Sequence, residues 1–198
     1  MTRAVFLDRD GVINRKPPEG EYVTRWQDFH VLPGVVEGIA QLKQAGFCVI
    51  VVTNQRCVAK GLMSAAELEQ MHRRMCDLLA RGGATIDGIY YCPHKMEPPC
   101  NCRKPAPGML LEAARSRGIE LSASWMIGDS DVDIEAGRNA GCRTAFLLAT
   151  NETVGEPGRS STSAGRADIV ATSILDAISE ILHCEGGAST LTTDRTAT

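Results

Sequence analysis

Short apolar runs in this 198-residue sequence end repeatedly in groups able to work on a phosphate. Ala4 to Leu7 runs into Asp8-Arg9-Asp10-Gly11, Cys48 to Val52 into Thr53-Asn54-Gln55, and Trp125 to Ile127 into Gly128-Asp129-Ser130-Asp131-Val132-Asp133. Gly88 to Tyr91 leads into a cysteine-rich stretch that ends at Arg103-Lys104. Gathered at one edge, Asp8 and Asp129 would repel each other unless a hard divalent cation lay between them. Mg2+ fits, because it takes oxygen ligands and keeps several waters. That cation and Lys104 would neutralise phosphoryl oxygens, the Thr53 hydroxyl would donate a hydrogen bond, and the Asp8 carboxylate would attack phosphorus in line to give an aspartyl phosphate. Asp10, two residues on along an extended chain, leans the same way as Asp8. It would protonate the leaving alkoxide and then deprotonate the water that hydrolyses the acyl phosphate. Taken singly, Asp-x-Asp-Gly, Thr-Asn and Gly-Asp are ordinary turn or strand-end sequences; their order, each at a strand end, carries the reading.

The stretch before Lys104 has its own chemistry. Cys92, His94, Cys100 and Cys102 offer three thiolates and one imidazole within eleven residues, a set that closes a tetrahedron around Zn2+ and leaves no open position. A structural ion is expected, acting through position, because Cys102 directly precedes Arg103 and Lys104. Cys48, Cys76 and Cys142 read as small buried thiols, whereas Cys57, in the loop after Thr53, is expected to be exposed. His30, His72 and His183 read as surface or packing residues.

The elements that must position these groups alternate short apolar runs with amphipathic stretches, the pattern of a parallel sheet wrapped by helices. Strands are predicted at Ala4 to Leu7, Cys48 to Val52, Gly88 to Tyr91, Trp125 to Ile127, Thr144 to Leu148 and Ile169 to Ala171. Helices are predicted at Val35 to Gln44, Ser64 to Ala80, Pro107 to Arg117, Val132 to Ala140 and Ile174 to Leu182. Asn151 to Ala167, rich in Gly, Ser, Thr and Pro, reads as a mobile loop. The expected fold is a Rossmann-like three-layer α/β/α domain over 1–184, with a mostly parallel sheet, a zinc-stabilised loop and a disordered tail over 185–198. Roughly forty to fifty residues separate the successive site motifs, too few for a large cap domain once the core helices are subtracted.

Composition narrows the partners. With 21 Lys and Arg against 24 Asp and Glu, and a net charge of −3, there is no basic footprint for nucleic acid. No apolar run approaches a membrane span, and the apolar run ending at Asp8 leaves no room for a signal peptide, so a cytoplasmic protein is expected. Eight cysteines there point to thiols and metal ligands before disulfides. The loops carry Arg15, Lys16, Arg56, Lys60, Lys95 and Arg103, more cations than one phosphate needs, which fits a substrate with a second anion as well as a merely solvated surface.

The ordered motifs resemble the haloacid dehalogenase superfamily of phosphatases. That resemblance implies Mg2+ held at Asp8, Asp10 and Asp129, with Asp8 as nucleophile and Asp10 as acid/base. It makes Thr53 and Lys104 phosphate stabilisers and Asp133 a supporting acid. The run Asp8 to Asn14, Tyr22-Val23, Thr53-Asn54-Gln55, the Cys-x-His and Cys-x-Cys pairs, and Cys102 to Met109 are similar to a zinc-loop branch of that superfamily. This implies a small phosphorylated sugar as substrate: removal of the 7-phosphate of D-glycero-D-manno-heptose 1,7-bisphosphate for lipopolysaccharide sugars, with histidinol phosphate as the alternative. Asn54, Gln55, Arg56, Arg103 and Tyr22 are then the expected substrate contacts, on a monomer. Arg56-Cys57 departs from the branch, which has a small Ser-Gly pair there, and Arg56 reads either as a grip for a distal phosphate or as the mark of a different sugar or amino alcohol phosphate. A receiver-like signalling domain also combines Asp, Thr, Lys and Mg2+, but Asp10 argues against it by speeding hydrolysis of the acyl phosphate.

Overall fold

The computed structural model describes residues 2–148 and 165–187. Six strands, β1 (Ala4–Leu7), β2 (Cys48–Asn54), β3 (Gly88–Cys92), β4 (Trp125–Gly128), β5 (Arg143–Leu147) and β6 (Ile169–Ala171), form one sheet in the order β3-β2-β1-β4-β5-β6. All five pairings are parallel. The central strands are continuous apolar runs because both faces are covered. Val5, Leu7, Val49, Val51 and Ile127 point into one core, with α1 (Val35–Gln44), α2 (Ala65–Arg81) and α5 (Ile174–Gly187). Ala4, Phe6, Ile50, Val52 and Met126 point into the other, with α3 (Gly108–Arg117) and α4 (Asp131–Ala140). The period-two alternation thus builds a three-layer α/β/α sandwich.

Local chemistry sets the helix boundaries. Ser64 accepts from the Glu67 N–H and Glu67 reaches back to the Ser64 N–H, a capping box that starts α2. Three strands run past their expected ends, β2 to Asn54, β3 to Cys92 and β4 to Gly128, because Thr53 and Asn54 pair with Tyr91 and Cys92, and Gly128 with Phe146. The last helix also runs on, to Gly187. Glu185 is anchored by Arg3 at 2.7 Å, by the Trp125 indole at 3.3 Å and by Arg143, so residues 185–187 belong to the domain rather than to a tail. The loop expected over 151–167 lies mostly, and the tail beyond 187 wholly, outside the described residues.

Cys57 is a correction. It is 0% exposed, because the loop after β2 closes on itself through Leu62 N–H to the Cys57 carbonyl and tucks the thiol against Gln55. Among the described residues no helix is long and apolar enough to cross a membrane.

The packing of α4 on the sheet gives a signed prediction. In an open helix, alanine is about 1 kcal/mol better than glycine. At Gly137 a Cβ would lie 2.7 Å from Met126 Cβ and 2.9 Å from Thr144 Cγ2, atoms with little room to move. Overpacking wins: Gly137→Ala costs about 1–3 kcal/mol, read as a lower urea midpoint. A midpoint at or above wild type would show that α4 does not sit this close.

Candidate active site

The strand order reverses beside β1: β2 lies on one side of it and β4 on the other. Such a switch point leaves a crevice at the carboxyl ends of the strands, and the reactive groups stand there. Leu7 pairs with Val51 and with Ile127, so Asp8 is the first residue beyond β1, level with Val52 and Gly128; its N–H donates to the Ile127 carbonyl. Thr53 ends the same edge from β2, 1% exposed.

Lys104 is 3% exposed and binds three oxygens: Asp8 Oδ1 at 2.7 Å, Asp133 Oδ1 at 2.5 Å and the Val52 carbonyl at 2.8 Å. Burial alone would lower its pKa, but Asp133 and Asp8 outweigh that and hold it above the ordinary lysine value. Asn54 fixes where the lysine starts: its amide oxygen accepts from the Lys104 N–H and its amide nitrogen donates to the Lys104 carbonyl, both at 3.1 Å. Asp133 is held in turn by the Ser130 N–H at the start of α4.

Carboxylate oxygens of Asp8, Asp129 and Asp133 lie within 4.8 Å of one another. Burial, aided by Asp133, Asp129 and Asp10 and only partly offset by Lys104, raises the Asp8 pKa to about 7. Asp129 is raised too, again by burial first, although Lys16 binds its Oδ2 at 2.7 Å. Its Oδ1 is buried with no hydrogen-bond partner. Three carboxylates face two ammonium groups, an excess of one negative charge beside an orphaned oxygen. A small divalent cation fits such a donor set. Gly11 makes the approach possible: its φ is +100° and a Cβ there would lie 2.1 Å from Asp129 Oδ2.

The Asp10 side chain is engaged elsewhere. Its carboxylate accepts from Arg9 at 2.9 Å, Asn14 at 2.8 Å and Gln55 at 2.9 Å. Burial would raise its pKa, but Arg9, Asn14 and Gln55 prevail and hold it below the usual carboxylate value. Gln55, 2% exposed, also donates to Thr53 Oγ1 at 3.0 Å, which orients the hydroxyl. The amides of Asn54 and Gln55, expected to touch substrate, therefore hold Lys104, Asp10 and Thr53 in place.

The other expected contacts form a second group. Arg56 donates from Nε to the Tyr22 hydroxyl at 2.9 Å and reaches Met96 Sδ at 3.0 Å, while Lys60 Nζ lies 4.9 Å from the Tyr22 ring centre. Arg103 Nη1 is buried without a partner. Cys92, His94, Cys100 and Cys102 converge, with neighbouring donor atoms 3.2 to 3.6 Å apart. A tetrahedral ion bound at about 2.3 Å to sulfur and about 2.0 Å to nitrogen needs edges of roughly 3.5–3.8 Å. The four ligands fit it.

Sequence reasoning left three contributors without roles: Lys16 on Asp129, and Arg9 and Asn14 on Asp10. No spacing rule marks them: Lys16 meets Asp129 across the chain, and Arg9 and Asn14 are turned onto nearby Asp10 by the turn after β1. His72, read as a surface or packing residue, is 5% exposed and faces Arg9.

A profile of the HAD-hydrolase-like family matches residues 101–177, the part of the chain from the zinc-type loop through Asp129 and Asp133 into α5. The D-glycero-β-D-manno-heptose-1,7-bisphosphate 7-phosphatase of Pseudomonas aeruginosa is 41% identical over 79% of this chain and 89% of its own length. That of Pasteurella multocida is 37% identical over 89% of this chain and 95% of its own. The crystal structure of the D,D-heptose 1,7-bisphosphate phosphatase from B. bronchiseptica, complexed with magnesium and phosphate, superposes with a TM-score of 0.77 at 32% identity, covering 93% of this chain and 99% of that one. The chain belongs to the heptose-bisphosphate 7-phosphatase family of HAD-like hydrolases. The receiver-like alternative falls with that membership.

A hard cation at these carboxylates relieves their repulsion, so Mg2+ alone is expected to raise the melting temperature of the metal-free protein. Gly11→Ala pushes a methyl into Asp129 and is expected to weaken that response at least about tenfold in cation concentration. An unchanged response in the variant would place the cation elsewhere.

Proposed function

We propose that this chain is a Mg2+-dependent phosphatase that removes the 7-phosphate of D-glycero-D-manno-heptose 1,7-bisphosphate through an aspartyl phosphate on Asp8. The observation that carries the reading is Asp8 itself, held by buried Lys104 at 2.7 Å beside the orphaned oxygen of Asp129. The names of the relatives supply the substrate.

Lys104 fixes one oxygen of Asp8 and so turns the other toward the incoming phosphorus, an oriented nucleophile. Mg2+ held by Asp8 and Asp129 supplies charge neutralisation for phosphoryl oxygens. The Asp10 carboxylate, held by Arg9, Asn14 and Gln55 and not among the three clustered carboxylates, is kept for proton transfer and not for the cation. Thr53, whose oxygen already accepts from Gln55, keeps its hydroxyl proton for a phosphoryl oxygen. In the free enzyme Asp10 is an anion; the arriving phosphate dianion raises its pKa, and it takes up the proton it then passes to the C7 alkoxide as the phosphorus–oxygen bond breaks. The resulting carboxylate removes a proton from the water that attacks phosphorus and frees Asp8.

Arg56, Lys60, Tyr22 and Arg103 bind the remainder of the substrate, the guanidinium groups of Arg56 and Arg103 supplying charge for a distal phosphate. The second anion favours a bisphosphate over histidinol phosphate. Zn2+ at Cys92, His94, Cys100 and Cys102 anchors the loop that delivers Arg103 and Lys104. The enzyme acts as a cytoplasmic monomer; eight unpaired thiols fit a reducing compartment.

Turnover of heptose 1,7-bisphosphate, histidinol phosphate and a simple sugar monophosphate decides the substrate. The bisphosphate is expected to lead in kcat/KM by at least about 100-fold, and Asp8→Asn to abolish all turnover. Equal, low rates on all three would overturn the assignment. For the loop, elemental analysis of protein made without chelator is expected to find one zinc per chain. Cys100→Ser is expected to lower kcat about tenfold or more through a loosened Lys104; full activity without zinc would separate the loop from catalysis.

A further inference from the structure

Arg9 stands between the metal-type carboxylates and a helix that the mechanism above does not use. Its side chain is fully buried, with Nη2 at 2.9 Å from both Asp10 oxygens and Nε at 3.2 Å from Oδ1. The two residues are neighbours in the chain; Asn14 and Gln55 hold the Asp10 end of the pair, and the Arg9 end needs a hold of its own. The helix α2 supplies that hold. Arg9 Nη1 lies 3.4 Å from His72 Nε2 and 3.8 Å from Met71 Sδ, and the Phe29 ring centre is 5.9 Å from the guanidinium carbon. A guanidinium only donates, so His72 Nε2 must be the acceptor and the ring proton sits on Nδ1. Burial first, and the facing Arg9 cation second, push the His72 pKa down to about 3, which keeps that lone pair free. The imidazole is itself fixed, edge-on to Tyr91 at 5.8 Å.

We propose that His72 is a positioning residue for the acid/base: by accepting from Arg9 Nη1 it sets the direction in which Arg9 presents the Asp10 carboxylate. This rests on the reading of Asp10 given above. The lone pair is the feature that matters: among the described residues His72 gives Nη1 its nitrogen acceptor, beside the weaker, longer contact to the Met71 sulfur and the Phe29 ring.

The test uses the full chain with Mg2+ and two kinds of leaving group. A sugar bisphosphate needs Asp10 in both steps. With p-nitrophenyl phosphate, the phenolate leaves without a proton, so Asp10 is needed only to hydrolyse the phosphoenzyme. In His72→Phe, kcat on the bisphosphate is expected to fall on the order of tenfold with KM within about twofold. The aryl ester is expected to show a rapid burst of nitrophenolate, of full amplitude per chain, followed by a slowed steady rate. His72→Gln, whose amide oxygen can accept from Arg9, is expected to recover most of the loss. A packing role predicts otherwise: unchanged rates in His72→Phe, a burst reduced in amplitude, or Gln no better than Phe each overturn the proposal. If His72→Phe does not fold, His72→Ala is assayed with imidazole. His72 itself lines a groove of about 470 Å3 with Cys76, Ile89 and Tyr91, so removing its ring opens that groove toward Arg9 behind it; recovered kcat supports the proposal, and none in soluble protein overturns it. Asp10→Asn is the reference: if it turns over both esters normally, the reading of Asp10 falls, whereas if it is inactive and His72→Phe is normal, only the present inference falls.

Discussion

An ammonium group lies buried between two carboxylates at the end of a parallel sheet, and the site is arranged around the consequences of that burial. Taking any one of these ions out of water costs several kcal/mol, and their mutual attraction offsets the cost only where geometry is tight and remaining lone pairs are satisfied. Lys104 meets this demand with three oxygens, one of them the Val52 carbonyl at the end of β2. Asp133 meets it by capping its own helix, and Asp8 by receiving both Lys104 and a place at the end of a central strand. Asp129 does not meet it. Lys16 satisfies one oxygen from a half-exposed loop and the other has no partner, so the unmet demand is localised at the position where a cation and a phosphate would arrive.

The carboxylates differ in the sign of their perturbation, and that difference divides their work. Asp8 is desolvated among like charges, which favours its neutral form until a cation restores the anion. Asp10 lies two residues away under a guanidinium and two amides, which favours its charged form. Two acids of one type, nearly adjacent in sequence, thus start from states opposite to their proposed work: a bound cation would restore Asp8 as the attacking anion, and an arriving phosphate dianion would let Asp10 take up a proton.

Much of this was legible in the sequence because strand ends are legible. Continuous apolar runs locate the ends of β1, β2 and β4 to within two residues, and in a doubly wound sheet the residues just beyond the run stand at the crevice. Asp8, Thr53 and Asp129 follow from that rule. Lys104 was reachable through the cysteine spacing, which ties the loop to a compact ion site. The rest was not legible, because its partners are set by loops that fold across the edge. Asn54 and Gln55 have side chains suited to binding a sugar, and only the fold reveals that Lys104, Asp10 and Thr53 take up their amides first. Cys57 looked exposed in a polar loop, yet the loop closes over it. His72 lies on a helix whose apolar stripe accounts for its burial, and nothing in periodicity distinguishes a packed imidazole from one that meets a buried guanidinium.

The same contrast separates chemistry from recognition. Asp8, Thr53 and Asp129 stand at strand ends set by the sheet register, and Lys104 comes from the cysteine loop, tied to the end of β2 through Asn54 and the Val52 carbonyl. Arg56, Tyr22, Lys60 and Met96 come from three different loops and hold one another through a hydroxyl, a ring face and a sulfur, all at the surface or partly buried. Replacing one of them alters the mouth without disturbing the register beneath it. A long cation after Gln55 is therefore a change of reach rather than of mechanism: its backbone is pinned one residue from Asp10's partner, while its head group extends to the loop carrying the cysteine cluster. Specificity in such a scaffold resides in how far these loops project their charge from a phosphorus atom whose position the sheet has already fixed.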